Sequence, residues 1–344
     1  MVESLPIYSD FVQASLKLKD VTIHPLAGDA SNRKYFRAIA GDETWVLMAW
    51  DPFEDNGRYP FLNVRDHFAK HDVRVPQVIA KDPARGLVLL EDLGDLTLER
   101  KFWESQNQQL VLPYYKQAVD ELIKIHYPAT FDRSDCVAFG IAFDTEKLLW
   151  EMNYGRDHLI VGLSQVKLTS VEAKALDRVF LKICQTLDAE TKFIAHRDYH
   201  SRNVMLKLGK LRVIDFQDAR MGAVQYDLVS LLRDSYVNLD EQMCEALLGY
   251  YLERRSEFKS VGHLMDVSRE KFNHIFEMQT VQRCFKACGS FSSFYCLRQD
   301  TRYLKYIHQT LQTVKKSLEK FSEFAEFNAV LSDYGIYDRK FDDL

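Results

Sequence analysis

The 344-residue sequence lacks several features that would assign it to whole classes of protein. It contains no run of about 18 apolar residues, the length needed to span a membrane. The N-terminal MVESLPIYSDF has no basic segment followed by an apolar core, so an export signal is not expected either. The six cysteines form no CxxC pair and show no disulfide-framework spacing, which indicates reduced thiols. Together these absences predict a cytoplasmic protein.

An excess of positive charge is also missing. The 45 Lys and Arg residues are outnumbered by 50 Asp and Glu residues, which gives a net charge of -5 at pH 7. We therefore expect neither nucleic acid nor a membrane surface as a partner. With 47% hydrophobic residues and no low-complexity segment, the chain can bury a substantial core, and its length favours two joined units. The oligomeric state is left open.

The hydrophobic pattern changes character along the chain. Strands are predicted for VTIHPLAG, KYFRAIA, TWVLMAW, VPQVIAKD and GLVLLEDLG, and one helix for FLNVRDHFAKH. After Gly94 come long stretches whose apolar residues recur at three- and four-residue intervals, the helical period. The sequence thus predicts an α+β protein with a small β-rich N-terminal lobe containing one main helix, residues 1–93. A larger, mostly helical lobe follows in residues 94–344.

One motif in the second lobe carries chemistry. In the run HRDYHSRN, Asp198 precedes Asn203 by five residues, the spacing of a kinase catalytic loop. The following VMLK and LRVIDF predict a hairpin that ends at Asp215 and brings it beside Asn203. Phosphoryl transfer needs a carboxylate to orient the acceptor hydroxyl and oxygen ligands to hold Mg²⁺ against the phosphates. We therefore predict an ATP-dependent phosphotransferase with Asp198 as catalytic base and Asn203 and Asp215 as Mg²⁺ ligands.

The catalytic loop resembles that of the aminoglycoside and choline phosphotransferase superfamily, which typically has the sequence HGDLHxxN. The resemblance implies a two-lobed, protein-kinase-like fold with a nucleotide-binding N-terminal lobe and a C-terminal lobe for catalysis and acceptor binding. His200 matches the second His of that loop and would lie near the transferred phosphate. Asp227 lies in a Gly-x-x-x-x-Asp-Leu stretch, where the superfamily uses the Asp to brace the catalytic loop.

A narrower resemblance covers the chain from about Leu26 to about Tyr306. The segments GDASNRKYFR, IDFQDARMGAVQYDLVSLLRDSY and MQTVQRCFKACGSF are similar to bacterial anomeric sugar kinases. Those enzymes phosphorylate N-acetylmuramate and N-acetylglucosamine at C1. The resemblance implies an N-acetylated amino sugar as acceptor and a role in recycling peptidoglycan sugars.

Nucleotide binding is expected at two places. Glu91 and Leu93 lie where the hinge of a two-lobed kinase would contact the adenine, and Gly28 and Ser31 lie in a turn that could cover the phosphates. The third strand has no Lys and the following helix has no Glu, so the ion pair of protein kinases is missing. By sequence, the nearest replacement cations are Arg33, Lys34 and Arg37.

Acceptor recognition is predicted from proximity to the loop and from the family-like segments. The candidates are Arg202, Gln217, Asp218, Gln282, Arg283 and Lys286. The aromatic FSSFYCL from Phe291 is expected to be core. Two other interpretations stay open: another acceptor such as choline, ethanolamine or an aminoglycoside, and a nucleotide-binding regulator that performs no transfer. Choline would favour an acidic or aromatic pocket, whereas acidic muramate would favour Arg or Lys.

Overall fold

The first part of the chain forms an antiparallel sheet. A computed structural model describes residues 5–26, 33–105, 107–258 and 267–343. The sheet has five strands in the order β1-β2-β3-β5-β4. Their bounds are β1 Thr22–Pro25, β2 Lys34–Ala40, β3 Glu43–Ala49, β4 Val78–Asp82 and β5 Leu87–Glu91. Four strands fall within the predicted segments and β3 begins one residue before its segment, because these segments are the runs of β-branched and aromatic residues between turn signals.

Helices cover both faces of this sheet. Helix α2, Pro60–Lys70, packs Phe61 and Phe68 against Met48 and Val88. Helix α1, Leu5–Leu16, covers the opposite face with Phe11 and other apolar residues. Since successive side chains of a strand point to opposite faces, β5 contributes Leu87 and Leu89 to one core and Val88 and Leu90 to the other. The sequence predicted only α2, so α1 is an addition to the expected arrangement.

The second part of the chain is mostly helical, as predicted. Its α-helices are α3 Leu98–Glu104, α4 Leu112–Lys124, α5 Thr145–Gly155, α6 Ser170–Asp188, α7 Gln225–Leu232, α8 Glu241–Arg255, α9 Arg269–Arg298, α10 Ile307–Leu318 and α11 Ala325–Asp333. Helix α9 has 30 residues and is packed by α5, α7 and α10. It is therefore the central element of this part.

Two short pairs of strands carry the catalytic segments. Strand β6, Phe193–Ala195, pairs with β9, Arg220–Gly222, and strand β7, Val204–Lys207, pairs with β8, Lys210–Val213. The β7–β8 hairpin confirms the prediction, but β8 ends at Val213. Asp215 therefore lies in the connection beyond the strand, not at its end.

The last strand of the five-stranded sheet ends at Glu91, and the next helix, α3, begins at Leu98. The predicted division after Leu93 falls in this connection and stays a prediction. In the described ranges no helix is long and apolar enough to cross a membrane. All six cysteines are free, in agreement with the expectation of reduced thiols.

Candidate active site

A buried carboxylate holds the catalytic loop in place. Asp227, near the start of α7, accepts hydrogen bonds from the backbone N–H groups of His196 at 2.6 Å and Arg197 at 2.9 Å. Its Oδ2 also lies 3.3 Å from His126 Nε2. Because the side chain is fully buried, these bonds are shielded from water and fix the loop firmly. This is the bracing role that the sequence resemblance implied for Asp227.

Two residues of the site have left-handed backbone conformations. Arg197 has φ 84° and Asp215 has φ 64°, which costs a non-glycine residue on the order of 1–3 kcal/mol. His196 Nε2 lies 2.9 Å from the carbonyl oxygen of Ile214, so the catalytic loop is tied to the segment that carries Asp215. The two strained positions thus belong to one connected network.

This network brings the three predicted transfer residues together. Asn203 Nδ2 donates to the backbone oxygen of Asp198 at 2.9 Å and to Asp215 Oδ2 at 3.3 Å. Gln217 Nε2 donates to the other oxygen of Asp215 at 2.7 Å and orients that carboxylate. A carboxylate and an amide side by side are hard oxygen ligands of the kind that Mg²⁺ prefers, so this pair fits the predicted metal site.

The carboxylate of Asp198 lies among cations. Its side chain is 26% exposed, with Arg197 Nε at 3.7 Å and Arg283 Nη2 at 3.9 Å. Burial alone would raise the pKa of Asp198, but the charges of Lys286, Arg197 and Arg283 outweigh it and hold the pKa well below its ordinary value. Asp198 is therefore ionised throughout the neutral range.

His200 is kept neutral in the same surroundings. Burial lowers its pKa to about 3, and the attraction of Asp198 only partly opposes this effect. Its Nε2 lies 3.5 Å from Asn203 Nδ2, and within the described ranges its buried Nδ1 has no hydrogen-bond partner. A neutral imidazole can still donate one hydrogen bond to a phosphate oxygen.

A cleft of about 650 Å³ lies between the sheet and the helical part, with Asn203 and Asp215 in its lining. Val46, Leu90, Met205 and Ile214 supply apolar walls. The apolar walls suit the flat base of a nucleotide, and the polar lining at Asn203 and Asp215 suits its phosphates.

The predicted hinge residues line the same cleft. The Glu91 carboxylate pairs with Lys207 at 3.1 Å and lies 3.8 Å from Arg212. Leu93 follows, and within the described ranges its backbone N–H and C=O have no hydrogen-bond partner. The hinge backbone is thus available to the edge of a base, and the nucleotide-binding role of Leu93 stays a prediction.

Arg37 does not offer a free cation to the phosphates. Its guanidinium forms two hydrogen bonds to Asp92, at 2.7 and 3.2 Å, and two to Asp95, at 2.8 and 3.1 Å. The residue therefore braces the connection between the two parts of the chain. Lys34 is exposed, and its predicted phosphate role has no geometric support.

Arg33 is better placed. It lines the cleft near Tyr35, and burial raises the pKa of Tyr35 while the Arg33 charge lowers it and the Asp215 charge raises it. Arg33 and Asp215, a predicted Mg²⁺ ligand, thus both line the cleft close enough to Tyr35 for their charges to act on it. The other predicted phosphate contacts, Gly28 and Ser31, lie outside the described residues.

We expect Arg33→Ala to raise the KM for ATP by about tenfold or more, since a hydrogen bond to a charged group contributes about 1.5–3 kcal/mol. Steady-state kinetics at saturating acceptor would measure the change. Lys34→Ala is the matched control, because Lys34 is adjacent and exposed. If the two variants had equal KM values for ATP, a residue other than Arg33 would have to supply the positive charge beside the phosphates.

The predicted acceptor residues have different environments. Arg202 lines the cleft but is held by Glu99 through two bonds of 2.9 Å and by Tyr306 at 2.8 Å. Asp218 accepts a hydrogen bond from Arg197 Nη1 at 2.9 Å and does not line the cleft. Gln282 is buried and donates to Glu151 at 2.9 Å, so its contact is internal. The geometry supports none of these three as a direct acceptor contact.

A smaller cavity of about 120 Å³ opens on the other side of Asp198. Arg283 and Lys286 line it, as do residues that the sequence did not single out as acceptor contacts: Ser230, Arg233, Asp234, Tyr236, Phe291 and Phe294. Arg233 to Tyr236 fall within one of the family-like segments, which was the available signal. Phe291 is buried as expected, but it also forms part of this wall. His200, Tyr236 and Phe294 line both cavities, so the two spaces meet beside Asp198.

The sheet-and-helix architecture, with Asn203 and Asp215 side by side at the ends of a hairpin and a catalytic loop braced by Asp227, is that of a protein-kinase-like phosphotransferase. The chain belongs to the phosphotransferase enzyme family, whose pattern it matches over residues 22–260.

Comparisons with known proteins agree with this assignment. The chain is 29% identical to an N-acetylmuramate/N-acetylglucosamine kinase of Neisseria meningitidis, over 93% of this chain and 96% of that protein. It is 29% identical to a protein of the same name in Pseudomonas aeruginosa, over 90% of this chain and 87% of the relative.

Solved structures show the same fold. A choline kinase of Cryptosporidium parvum has a TM-score of 0.60 at 14% identity, covering 94% of this chain and 98% of that one. An ADP-bound aminoglycoside phosphotransferase has a TM-score of 0.55 at 15% identity, covering 89% and 96%.

Proposed function

We propose that this enzyme transfers the γ-phosphate of ATP to the anomeric C1 hydroxyl of N-acetylmuramate or N-acetylglucosamine. The names of the relatives with 29% identity support this acceptor class. The smaller cavity, called the acceptor cavity from here on, supports it independently because Arg233, Arg283 and Lys286 line it. The product would enter the recycling of peptidoglycan sugars. Since such a kinase acts where ATP is supplied, we propose the cytoplasm as its location.

The position of Asp198 carries this proposal. Asp198 lines the acceptor cavity, two residues before His200, which lines both cavities. Asn203 donates to its backbone oxygen, and Arg283 lies 3.9 Å from its carboxylate. A substrate in the acceptor cavity could therefore direct a hydroxyl at Asp198 while the nucleotide presents its phosphate beside Asp215. This arrangement orients the two reactants, which is the main contribution an enzyme can make to phosphoryl transfer.

Asp198 would accept a hydrogen bond from the C1 hydroxyl and receive its proton as the C1 oxygen bonds to the γ-phosphorus and the bond from that phosphorus to the leaving ADP breaks. A carboxylate with so low a pKa is a weak base, but an anomeric hydroxyl is more acidic than an ordinary alcohol. The nearby charges of Arg283 and Lys286 would further favour the developing alkoxide. Neutral His200 would donate a hydrogen bond to the transferred phosphate.

Asn203 and Asp215 would hold Mg²⁺, which neutralises charge on the phosphate oxygens when bound. Gln217 orients Asp215 for this contact. Arg33 would supply the charge that the third-strand Lys provides in protein kinases.

The charge of the acceptor cavity distinguishes among acceptors. Arg233, Arg283 and Lys286 line it, although Arg233 is also paired with Glu241 at 2.7 Å and Asp234 contributes a carboxylate. A cationic choline or aminoglycoside would be repelled by this wall, whereas the carboxylate of muramate would be attracted. Tyr236, Phe291 and Phe294 add the aromatic surface on which a sugar ring can pack.

The test is ADP release with Mg²⁺-ATP and separate acceptors: N-acetylmuramate, N-acetylglucosamine, glucose, choline and an aminoglycoside. Phosphorus NMR of the product identifies the position of transfer. A C1-phosphate of an N-acetylated sugar is the expected product. ATP binding without turnover of any acceptor would contradict the proposal and favour a nucleotide-binding regulator.

We expect Lys286→Ala to raise the KM for N-acetylmuramate about tenfold more than the KM for N-acetylglucosamine, because only the former carries a carboxylate for this ammonium group. Within the described ranges Lys286 has no carboxylate within 4.0 Å, although burial lowers its pKa and Glu151 opposes that shift. The measurement is the ratio of kcat/KM for the two sugars.

Lys271→Ala is the matched control, because it removes an exposed Lys from the same helix α9. An equal loss for both sugars in Lys286→Ala would instead show that Lys286 acts only through Asp198.

A further inference from the structure

A second cluster of polar side chains lies on the far end of α2 from the cleft. His67 lies in the last turn of this helix, His71 follows its last residue, and Asp132 follows the π-helical turn Ile125–Ala129. One potential ligand atom from each residue lies within 4.8 Å of the other two. The proposed transfer reaction uses none of the three.

The surroundings of His67 prepare one ring nitrogen to bind a metal. His67 is 6% exposed, and its Nε2 lies 2.7 Å from the carbonyl oxygen of Ala129, to which it must donate. The lone pair is therefore on Nδ1, whose described contact is a long one of 3.4 Å to Ser134 Oγ. Metal-binding histidines typically donate their other N–H to a backbone carbonyl in this way, which fixes the ring orientation.

His71 and Asp132, the other two members of the cluster, already contact each other. His71 Nε2 lies 2.8 Å from Asp132 Oδ2, and the second oxygen of Asp132 accepts from the Ser134 backbone N–H at 3.1 Å. Lys70 Nζ lies 2.6 Å from the same Oδ2, so a cation is attracted to this position. The Lys70 side chain is 59% exposed and can move into solvent if a stronger cation replaces it.

We propose that His67, His71 and Asp132 form a binding site for Zn²⁺. Two imidazole nitrogens and one carboxylate oxygen are a ligand set that Zn²⁺ accepts with a water molecule in the fourth position. Mg²⁺ would not compete, because it prefers oxygen ligands and retains its water. Lys70 is the counter-ion of Asp132 without the metal and is displaced when the metal binds.

The site would join the two parts of the chain. His67 belongs to the helix that packs on the sheet and His71 caps its end, whereas Asp132 belongs to the helical part. The same α2 places Phe61 at 5.2 Å and Phe68 at 6.1 Å from the ring of Phe216, next to Asp215. Zinc would therefore restrain the helix that packs behind the proposed Mg²⁺ site.

The experiment is calorimetric titration of tag-free, chelator-treated protein with Zn²⁺, together with thermal unfolding. We expect one Zn²⁺ per chain and a higher Tm when zinc is present at about 100 times its Kd. His71→Ala should weaken binding by at least about tenfold. Lys70→Gln should tighten it, because the substitution removes the competing positive charge. His308→Ala is the control, since His308 is exposed on α10 and lies outside the cluster.

Absence of saturable binding at micromolar Zn²⁺ would overturn the proposal. Equal weakening by His71→Ala and His308→Ala would also overturn it, as would weaker binding in Lys70→Gln. If a substitution prevents folding, Co²⁺ bound to the unaltered protein provides a second measurement. A tetrahedral Co²⁺ absorption spectrum that Zn²⁺ abolishes is expected, and its absence would contradict the site.

Discussion

Replacing Asp198 by Asn is expected to lower kcat by about 10²- to 10⁴-fold, the range for loss of a positioned general base. The amide keeps the size of the side chain but cannot receive the acceptor proton. ATP binding should stay close to that of the unaltered enzyme, because Asn203 and Asp215 keep their side chains. Single-turnover kinetics and a nucleotide-binding titration would measure the two quantities separately.

Two controls make this prediction decisive. Asp333→Asn removes an exposed carboxylate at the end of α11 and should leave turnover unchanged. Thermal unfolding of Asp198→Asn tests whether the cations around it, Arg197 and Arg283, destabilise the fold once their carboxylate is gone. Normal turnover in a folded Asp198→Asn enzyme would refute the catalytic role, and loss of ATP binding would assign the residue a structural one.

The sequence could locate the proposed transfer residues because they lie close together along the chain. Asp198 and Asn203 lie in the loop before one hairpin and Asp215 lies directly after it, and the turn at Leu208-Gly209 brings the two ends together. The strands and long helices were also predictable, since their periodicity is a property of neighbouring residues. Helix α1 was missed because its first residues resemble an ordinary exposed terminus until the sheet face that it covers is known.

Contacts between distant residues could not be predicted in the same way. Arg37 was a candidate phosphate ligand, but its partners Asp92 and Asp95 follow it by 55 and 58 residues. Arg202 was a candidate acceptor contact, but Glu99 lies 103 residues before it. Both arginines have the expected chemistry, and only the tertiary fold shows that carboxylates already bind them.

The residues that line the acceptor cavity could not all be predicted from the sequence, because they too come from distant parts of the chain. Its walls come from the catalytic loop, from the connection after α7 and from α9. Arg283 and Lys286 were among the predicted residues because they belong to a family-like segment. Tyr236 and Phe294 could not be distinguished from the many aromatic residues of the helical core, such as Phe285.

The second large effect is expected at Asp215, a proposed Mg²⁺ ligand. Asp215→Asn should lower kcat on the order of 10³-fold, which corresponds to about 4 kcal/mol of lost charge stabilisation at the transition state. Asn is the informative substitution, because it tolerates the left-handed backbone that Asp215 adopts at φ 64° better than most residues do. The loss therefore reports on the carboxylate charge and not on a distorted chain. The half-saturating Mg²⁺ concentration should rise at the same time.

Gln217→Ala provides a graded comparison. Gln217 donates to Asp215 at 2.7 Å and only orients it, so this variant should need about 10- to 100-fold more Mg²⁺ while keeping most of its kcat at saturation. Titration of both variants with Mg²⁺ at fixed ATP separates the two roles. If Asp215→Asn regained full kcat at high Mg²⁺, Asp215 would be an orienting residue like Gln217, and the essential metal ligand would have to be sought elsewhere in the cleft.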